Sequence, residues 1–276
     1  MNEELPIAGR PSLHQNERTK RRSAPSLPPP PSPDPIPRMD LPLAKAIPAK
    51  TIHDAWLPTR KKLVAQEIEE DLRIRIHRAC RALEQAEAME GRDGSAGSLD
   101  AALVFRWIGL NALYGAWDVE QGMPVKDRVA VSNLTSEICR VDVEGRMAKC
   151  LALVADPARE LLMNSFLANR FWKDPEWDQV RPNRGNAAAY RNELLEKRTS
   201  AALHRLLMAI YFLRCQIVHG GSTIGGKLNR ETVEPAARIL ELLSSQILAT
   251  VVEHGLEMKW GPVCYPPVRN PDGSPS

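Results

Sequence analysis

The sequence predicts an all-α protein built as an antiparallel bundle of about five or six helices. Apolar residues recur at three- and four-residue steps over long stretches, whereas the alternation typical of strands is rare. Clusters of Gly and Pro separate these stretches, as expected for connections between helices. We assign residues 49–258 to the helical domain, residues 1–48 to an N-terminal arm and residues 259–276 to an extended tail.

The N-terminal arm is rich in proline. It contains 12 of the 23 prolines of the chain, several of them in the run PSLPPPPSPDPIP. Such a segment buries too little apolar surface to offset the entropy of ordering it, so we predict a disordered, Pro-rich arm. It could dock onto an aromatic groove of a partner protein, or it could act only as a tether.

The first half of the domain contains two strong helical patterns. RKKLVAQEIEEDLRIRIHRACRALEQAEAME predicts one long helix, whose buried stripe comprises Leu63, Ile68, Leu72, Ile76 and Leu83. The loop GRDGSAGS follows, with Ser98 or Asp100 as the expected helix cap. LDAALVFRWIGLNALYGAW then predicts a largely buried helix.

The second half continues the helical pattern. After the break EQGMPVKDR, two moderately amphipathic helices are expected between residues 132 and 171, followed by the irregular loop WKDPEWDQVRPNRG. The next helix is interrupted near residues 197–200, runs into AALHRLLMAIYFLRCQIVH and ends at glycines. A last helix, PAARILELLSSQILATVVEH, has an apolar seam of Ile239, Leu240, Leu243, Ile247, Leu248 and Val251.

Bulk composition bounds the class of protein. The net charge is +3, and the first 48 residues supply +2 of it, so the domain is almost neutral and lacks the basic excess of a strong non-specific nucleic-acid binder. Five scattered cysteines without C-x-x-C spacing argue against a zinc site and a disulfide framework. No signal peptide and no apolar run of ~18 residues is visible. We therefore expect a cytoplasmic protein without a metal, a cofactor or a membrane partner.

Two groups of residues are candidates for supporting a site. Asn111 lies among large apolar residues, where it either bonds a neighbouring helix or supports a functional site. Candidate RNA-binding residues flank the irregular loop, namely Arg170, Arg181, Arg184, Arg191, Trp172 and Trp177. A surface loop pinned by its Trp residues explains the second group equally well. GGSTIGGK lacks the spacing of a phosphate loop and follows a helix rather than a strand.

The segment FLRCQIVHGG carries the strongest candidate pair, Arg214 and His219. On an ideal helix the two residues are ~140° apart and ~7.5 Å along the axis, so they do not share a face. The glycines that follow place His219 in the last turn, where the chain can leave the helix and the His219 ring can turn toward Arg214.

LRCQIVHGG, together with the upstream FRWIGLNALYG, resembles the HEPN superfamily, particularly its Apea-like branch. The resemblance covers residues 55–256. It implies a helical bundle that forms a homodimer about the helix carrying Arg214 and His219. It also implies a metal-independent endoribonuclease, as found in bacterial toxin–antitoxin and antiphage defence systems, with these two residues in the active site.

One position departs from that pattern. Many active members have Asn, Asp or His directly after the Arg, whereas this chain has Cys215, a weak hydrogen bonder. Cys215 is thus a candidate for site support in a catalytic protein. In the alternative, the chain is a non-catalytic HEPN module that binds nucleotide, RNA or a partner protein. A plain helical scaffold, in which the motif is a coincidence, is a third hypothesis.

Overall fold

Nine α-helices make up most of the chain that the computed structural model describes, which is residues 45–93, 95–168, 182–226 and 230–265. The helices are α1 (Ala49–Ala65), α2 (Glu70–Asp93), α3 (Ala96–Tyr114), α4 (Asp127–Val141), α5 (Arg146–Leu153), α6 (Ala155–Met163), α7 (Arg184–Leu195), α8 (Thr199–Val218) and α9 (Arg230–His254). The predicted all-α class is confirmed. The N-terminal arm was predicted to be disordered, and its residues 1–44 lie outside the described part of the chain.

Helix α9 forms the centre of the bundle. Ten consecutive residues, from Leu243 to Val252, are buried, so this helix has protein on every side over almost three turns. Its neighbours include α1, α2, α3, α4, α5, α6 and α8. All members of the predicted seam on α9 are buried, which confirms that prediction.

The count of about five or six helices is too low because backbone turns divide several predicted stretches. Glu67 and Glu69 adopt left-handed φ angles of 55°, which separates α1 from α2. Lys197, also at φ 55°, separates α7 from α8, as the predicted interruption required. Between residues 127 and 163 there are three helices rather than two, since the chain leaves helical geometry at Val154 (φ −100°, ψ 12°).

Helices α2 and α3 form an antiparallel hairpin that builds one side of the molecule. The Arg106 guanidinium of α3 binds the Glu90 carboxylate near the connection, and Gly109 lies against Leu83 farther along. The predicted stripe of the first helical stretch is buried, with Ile68 partly so. The predicted cap was wrong: the Ser95 hydroxyl accepts from the Ser98 backbone amide and is the actual cap.

A small β element, which the sequence patterns did not predict, follows α3. Strands β1 (Trp117–Asp118) and β2 (Met123–Pro124) form an antiparallel hairpin, and Ala116 pairs with Val263. The turn uses Gly122 at φ 62°, a left-handed conformation that glycine adopts without a steric penalty. The C-terminal segment thereby returns to the end of α3.

Among the described residues, two helices are long and apolar enough to span a membrane. Neither contains an uninterrupted apolar run of ~18 residues, so the sequence pattern did not reveal them. They are α8 and the stretch Arg230–Glu257, each with a mean hydropathy of 1.3. Inside the bundle, 56% and 78% of their apolar windows are buried, as in the core helix of a globular protein. The two helices alone are therefore weak evidence for a membrane location.

Candidate functional site

Arg214 is half-buried on the last turns of α8, beside the end of α3. Its Nη1 atom lies 3.9 Å from the Cys215 thiol sulfur, a weak acceptor. Its buried Nε atom has no hydrogen-bond partner among the described residues. The same is true of the Nε atoms of Arg73 and Arg75, and none of these buried atoms is open to an external ligand.

Tyr114, at the end of α3, lies close enough to Arg214 to feel its charge, and Tyr211 and Asp127 lie near Tyr114. The Trp107 indole donates to the Tyr114 hydroxyl at 3.1 Å, and the Tyr211 ring packs against the Trp107 ring at 5.7 Å. The Asp127 carboxylate, at the start of α4, lies close enough to both tyrosines for its charge to raise their pKa values. Tyr211 also contacts Cys215, one turn along the same helix.

Both tyrosines remain protonated at neutral pH. Burial, followed by the charge of Asp127, raises the pKa of Tyr114 above its ordinary value. Burial also raises the pKa of Tyr211, with Cys215 and Asp127 as further causes. The protonated hydroxyls can donate hydrogen bonds, and no ion pair joins Asp127 to Arg214 among the described residues.

His219 lies at the exposed C-terminal cap of α8. Its backbone amide donates to the Cys215 carbonyl at 2.9 Å, so the residue still belongs to the helix by hydrogen bonding. Gly220 then turns the chain at φ 74°, and the Ser222 amide closes the helix end on the Gln216 carbonyl at 3.1 Å. The imidazole is solvent-accessible and available for proton transfer.

Arg214 and His219 do not form a pair within one chain. No hydrogen bond or ion pair joins them in the part of the chain that the structure describes, as expected from their ~140° separation on the helix. The Gln216 side chain, which the sequence did not single out, donates to the Phe166 carbonyl at 2.9 Å and anchors the 3-10 turn Ser165–Leu167 to this helix end. The end of α8 is thus fixed on one side and open on the other.

Asn111 is exposed rather than buried, so the expected bond to a neighbouring helix is wrong. It lines a groove with Tyr114 and Asp127, which places it near the Arg214 cluster. The reason is its place on α3: the positions that follow, Leu113 and Tyr114, turn into the core, while position 111 faces outward.

The candidate RNA-binding residues are only partly described. Arg170, Arg181, Trp172 and Trp177 lie outside the described residues. Arg184 and Arg191 are exposed on α7, which is tied to the first half of α8 through the Arg205–Glu193 ion pair. Arg205 precedes Arg214 by nine residues, or ~13 Å of helix, so this anchor is at a distance from the Arg214 cluster.

The described residues contain no group of three His, Cys, Asp or Glu side chains placed to hold a metal ion. All five cysteines are free thiols. Burial raises the pKa of Cys80 and of Cys139 to about 12 and that of Cys150 to about 11, which keeps these three protonated and poorly nucleophilic at neutral pH.

No protein-family model, curated protein or solved structure matches the chain.

Proposed function

We propose that this protein is a metal-independent endoribonuclease of the HEPN type that acts as a homodimer. The observation that supports it most is the position of two side chains at the end of α8: Arg214 is half-buried and bonded only weakly, to the Cys215 thiol, and His219 is exposed a little more than one turn later. A twofold axis perpendicular to α8 near this helix end makes the two copies of α8 antiparallel and brings Arg214 of one protomer near the His219 position of its partner. In such a dimer the two residues of one site come from different protomers, so their ~140° separation around one helix no longer keeps them apart.

The chemistry follows from these two side chains. RNA carries its own nucleophile, the 2′-hydroxyl, and cleavage transfers its proton to a base while the 5′-oxygen leaves with a proton from an acid. His219 performs the proton transfers, a role typically worth ~10²–10⁴ in rate. Arg214 binds the phosphate and stabilises the charge that builds on its oxygens.

Many HEPN nucleases have Asn, Asp or His at the position of Cys215. We propose a different role for the cysteine. It contacts Arg214 and lies one turn after Tyr211 on the same helix, and the charge of Asp127 acts on Tyr211. We propose that the Tyr211–Asp127 contact orients the end of α8 in place of the missing polar helper. The surrounding biology that we propose, by resemblance, is a cytoplasmic bacterial toxin or antiphage defence system.

The test is incubation of the purified protein with RNA in EDTA, comparing wild type with His219→Ala. We expect cleavage by the wild type and its loss in the variant. The thermal midpoint should be nearly unchanged, because exposed substitutions change stability by only about 0.5 kcal/mol or less. His254→Ala, which removes a histidine from the end of another helix, is the matched control and should cleave normally.

Equal cleavage by wild type and His219→Ala, or none by either, contradicts the proposal. Light scattering of the purified protein measures the oligomeric state separately. A monomer at the concentrations at which RNA is cleaved contradicts the composite site.

A second candidate is a non-catalytic HEPN module that binds nucleotide, RNA or a partner protein. The contact of Arg214 with a thiol, rather than with a carboxylate or an amide, favours it. In this case His219 stabilises an interface, and His219→Ala weakens the dimer or lowers the thermal midpoint without affecting any cleavage. The two measurements above therefore separate the candidates.

A further inference from the structure

The glycine-rich loop 220–226, which follows α8, is tied to the start of α3. The Gly225 amide donates to the Asp100 carboxylate at 2.7 Å. Gly225 has a left-handed φ of 70°, and a Cβ at this position would lie 3.4 Å from the Gly97 backbone nitrogen. The loop therefore packs closely on the first turns of α3, a contact that only glycine permits without strain.

Arg230, the first residue of α9, completes this tie. Its Nη2 atom donates to the Asp100 carboxylate, its Nη1 atom to the Ala96 carbonyl at 2.9 Å and its Nε atom to the Gly226 carbonyl at 3.1 Å. One guanidinium thereby joins the start of α9, the loop and the start of α3.

The Asp100 carboxylate is enclosed by these partners. Asp100 is only 1% exposed, and 24% of the Arg230 side chain remains accessible. A buried carboxylate is costly unless it is paired and hydrogen-bonded, and charge-assisted bonds to a guanidinium and an amide meet that requirement. The sequence predicted Asp100 as a possible helix cap, whereas its carboxylate instead holds a loop that is distant in the chain.

His219 lies directly before this loop, so the tie bears on its position. The two glycines that follow it have a wide choice of backbone conformations. The Ser222 amide donates to the Gln216 carbonyl at 3.1 Å, which folds the loop back onto α8, and Gly225 is held at the other end. The imidazole is exposed, so the backbone that carries it sets its place.

We infer that Asp100 and Arg230 are positioning residues for His219: by holding the loop 220–226 on α3, they fix the imidazole at the end of α8. The catalytic meaning of this role rests on the proposed ribonuclease function. Its effect on the loop and on the His219 ring is measured without RNA, which keeps the two proposals separable.

Arg230→Lys is the main test. It keeps a positive charge beside Asp100, so the buried carboxylate stays paired and the domain folds, but it lacks the planar fork that serves three acceptors. Amide hydrogen exchange in the loop should become about tenfold faster. The His219 ring resonance in a proton–carbon NMR spectrum, assigned by its loss in His219→Ala, should shift.

The same variant should cleave RNA with a kcat about tenfold lower and a KM within about twofold of the wild type. A displaced proton-transfer group slows the chemical step, while the residues that bind substrate are unchanged. Asp100→Asn, which removes the charge but keeps the shape of the side chain, should change the loop exchange and kcat in the same direction.

Arg205→Lys is the matched control. Arg205 also makes three bonds, two to the Glu193 carboxylate and one to the Asn186 side chain, and its side chain is 30% exposed. It lies ~21 Å before His219 along α8. This variant should lower the thermal midpoint about as much as Arg230→Lys, and leave the loop exchange, the His219 resonance and kcat unchanged.

Three results overturn the inference: an unchanged loop exchange and His219 resonance in Arg230→Lys, the same changes in Arg205→Lys, or a raised KM with an unchanged kcat. If the wild type cleaves RNA and Arg230→Lys cleaves at the same rate, the positioning role fails and the ribonuclease stands. If the wild type does not cleave RNA, the ribonuclease proposal fails, and the NMR measurements still decide whether the Asp100–Arg230 pair positions His219.

Discussion

Arg75 holds the end of α3 and the C-terminal segment together, and its replacement is a quantitative test of the structure. The side chain is only 1% exposed. Its Nη1 atom donates to the Leu113 carbonyl at 2.8 Å and to the Gly115 carbonyl at 2.6 Å, while Nη2 donates to Gly261 at 2.9 Å. The guanidinium also lies 5.3 Å from the centre of the Trp260 ring.

Arg75→Met keeps the aliphatic stem and removes every one of these contacts. The carbonyl of Leu113 becomes a buried unpaired acceptor, at a cost of about 2 kcal/mol. The other two carbonyls gain partial access to water and cost about 0.5–1 kcal/mol each, and the cation–π contact adds about 1 kcal/mol. We expect a loss of about 4 kcal/mol in the free energy of unfolding, or about 10 °C in Tm for a domain of this size.

The assay is urea unfolding followed by circular dichroism at the helical minimum. Arg75→Lys keeps the charge but lacks the planar fork that reaches several carbonyls, so it should lose about half as much. Arg81→Met, on the exposed side of the same helix, removes only a surface pair and should lose less than about 1 kcal/mol. A loss below about 1 kcal/mol for Arg75→Met, or a larger loss for Arg75→Lys, refutes the assignment of Arg75 as a clamp.

Stability should also fall as the pH drops below about 6.5, the ordinary value for histidine. Burial, together with two nearby arginines, lowers the pKa of His204 in the folded state, so the unfolded chain binds its proton more readily. His204→Gln should reduce the change in the free energy of unfolding between pH 7.5 and 5.5. An unchanged pH dependence in the variant contradicts this. Gly115→Ala should lose about 1–2 kcal/mol, because the added Cβ falls 2.7 Å from the Asn111 carbonyl oxygen. Gly185→Ala meets nothing within 4 Å and should gain about 0.5 kcal/mol; calorimetry of both checks the opposite signs.

Helical periodicity predicted most of the fold. The stripe over α1 and α2 and the seam on α9 are buried, with Ile68 partly so, because a helix that packs on a core must present a continuous apolar surface. The break between α7 and α8 was also visible in a polar interruption near Lys197. Helix boundaries were less accurate, since a single residue with a left-handed φ divides a periodic pattern without altering it.

The candidate site was predicted only in part. Arg214 and His219 are at the end of one helix as expected, but periodicity could not reveal that Tyr114 of α3 lies near Arg214, or that Asp127 of α4 lies near Tyr114. Tyr211 carried a local signal, since it lies one turn before Cys215. The prediction that Asn111 is buried was wrong because, on a uniformly apolar helix, the burial of each face depends on which neighbouring elements cover it.

The sequence by itself determined the helical class, the apolar faces and the residues able to do acid–base and phosphate chemistry, because these depend on side-chain type and short-range spacing. Only the tertiary structure decided that α9 is enclosed and that the C-terminal segment closes a groove beside α2 and α3. These features depend on contacts between residues far apart in the chain. Such contacts are chosen by the packing of the whole bundle and leave no local pattern.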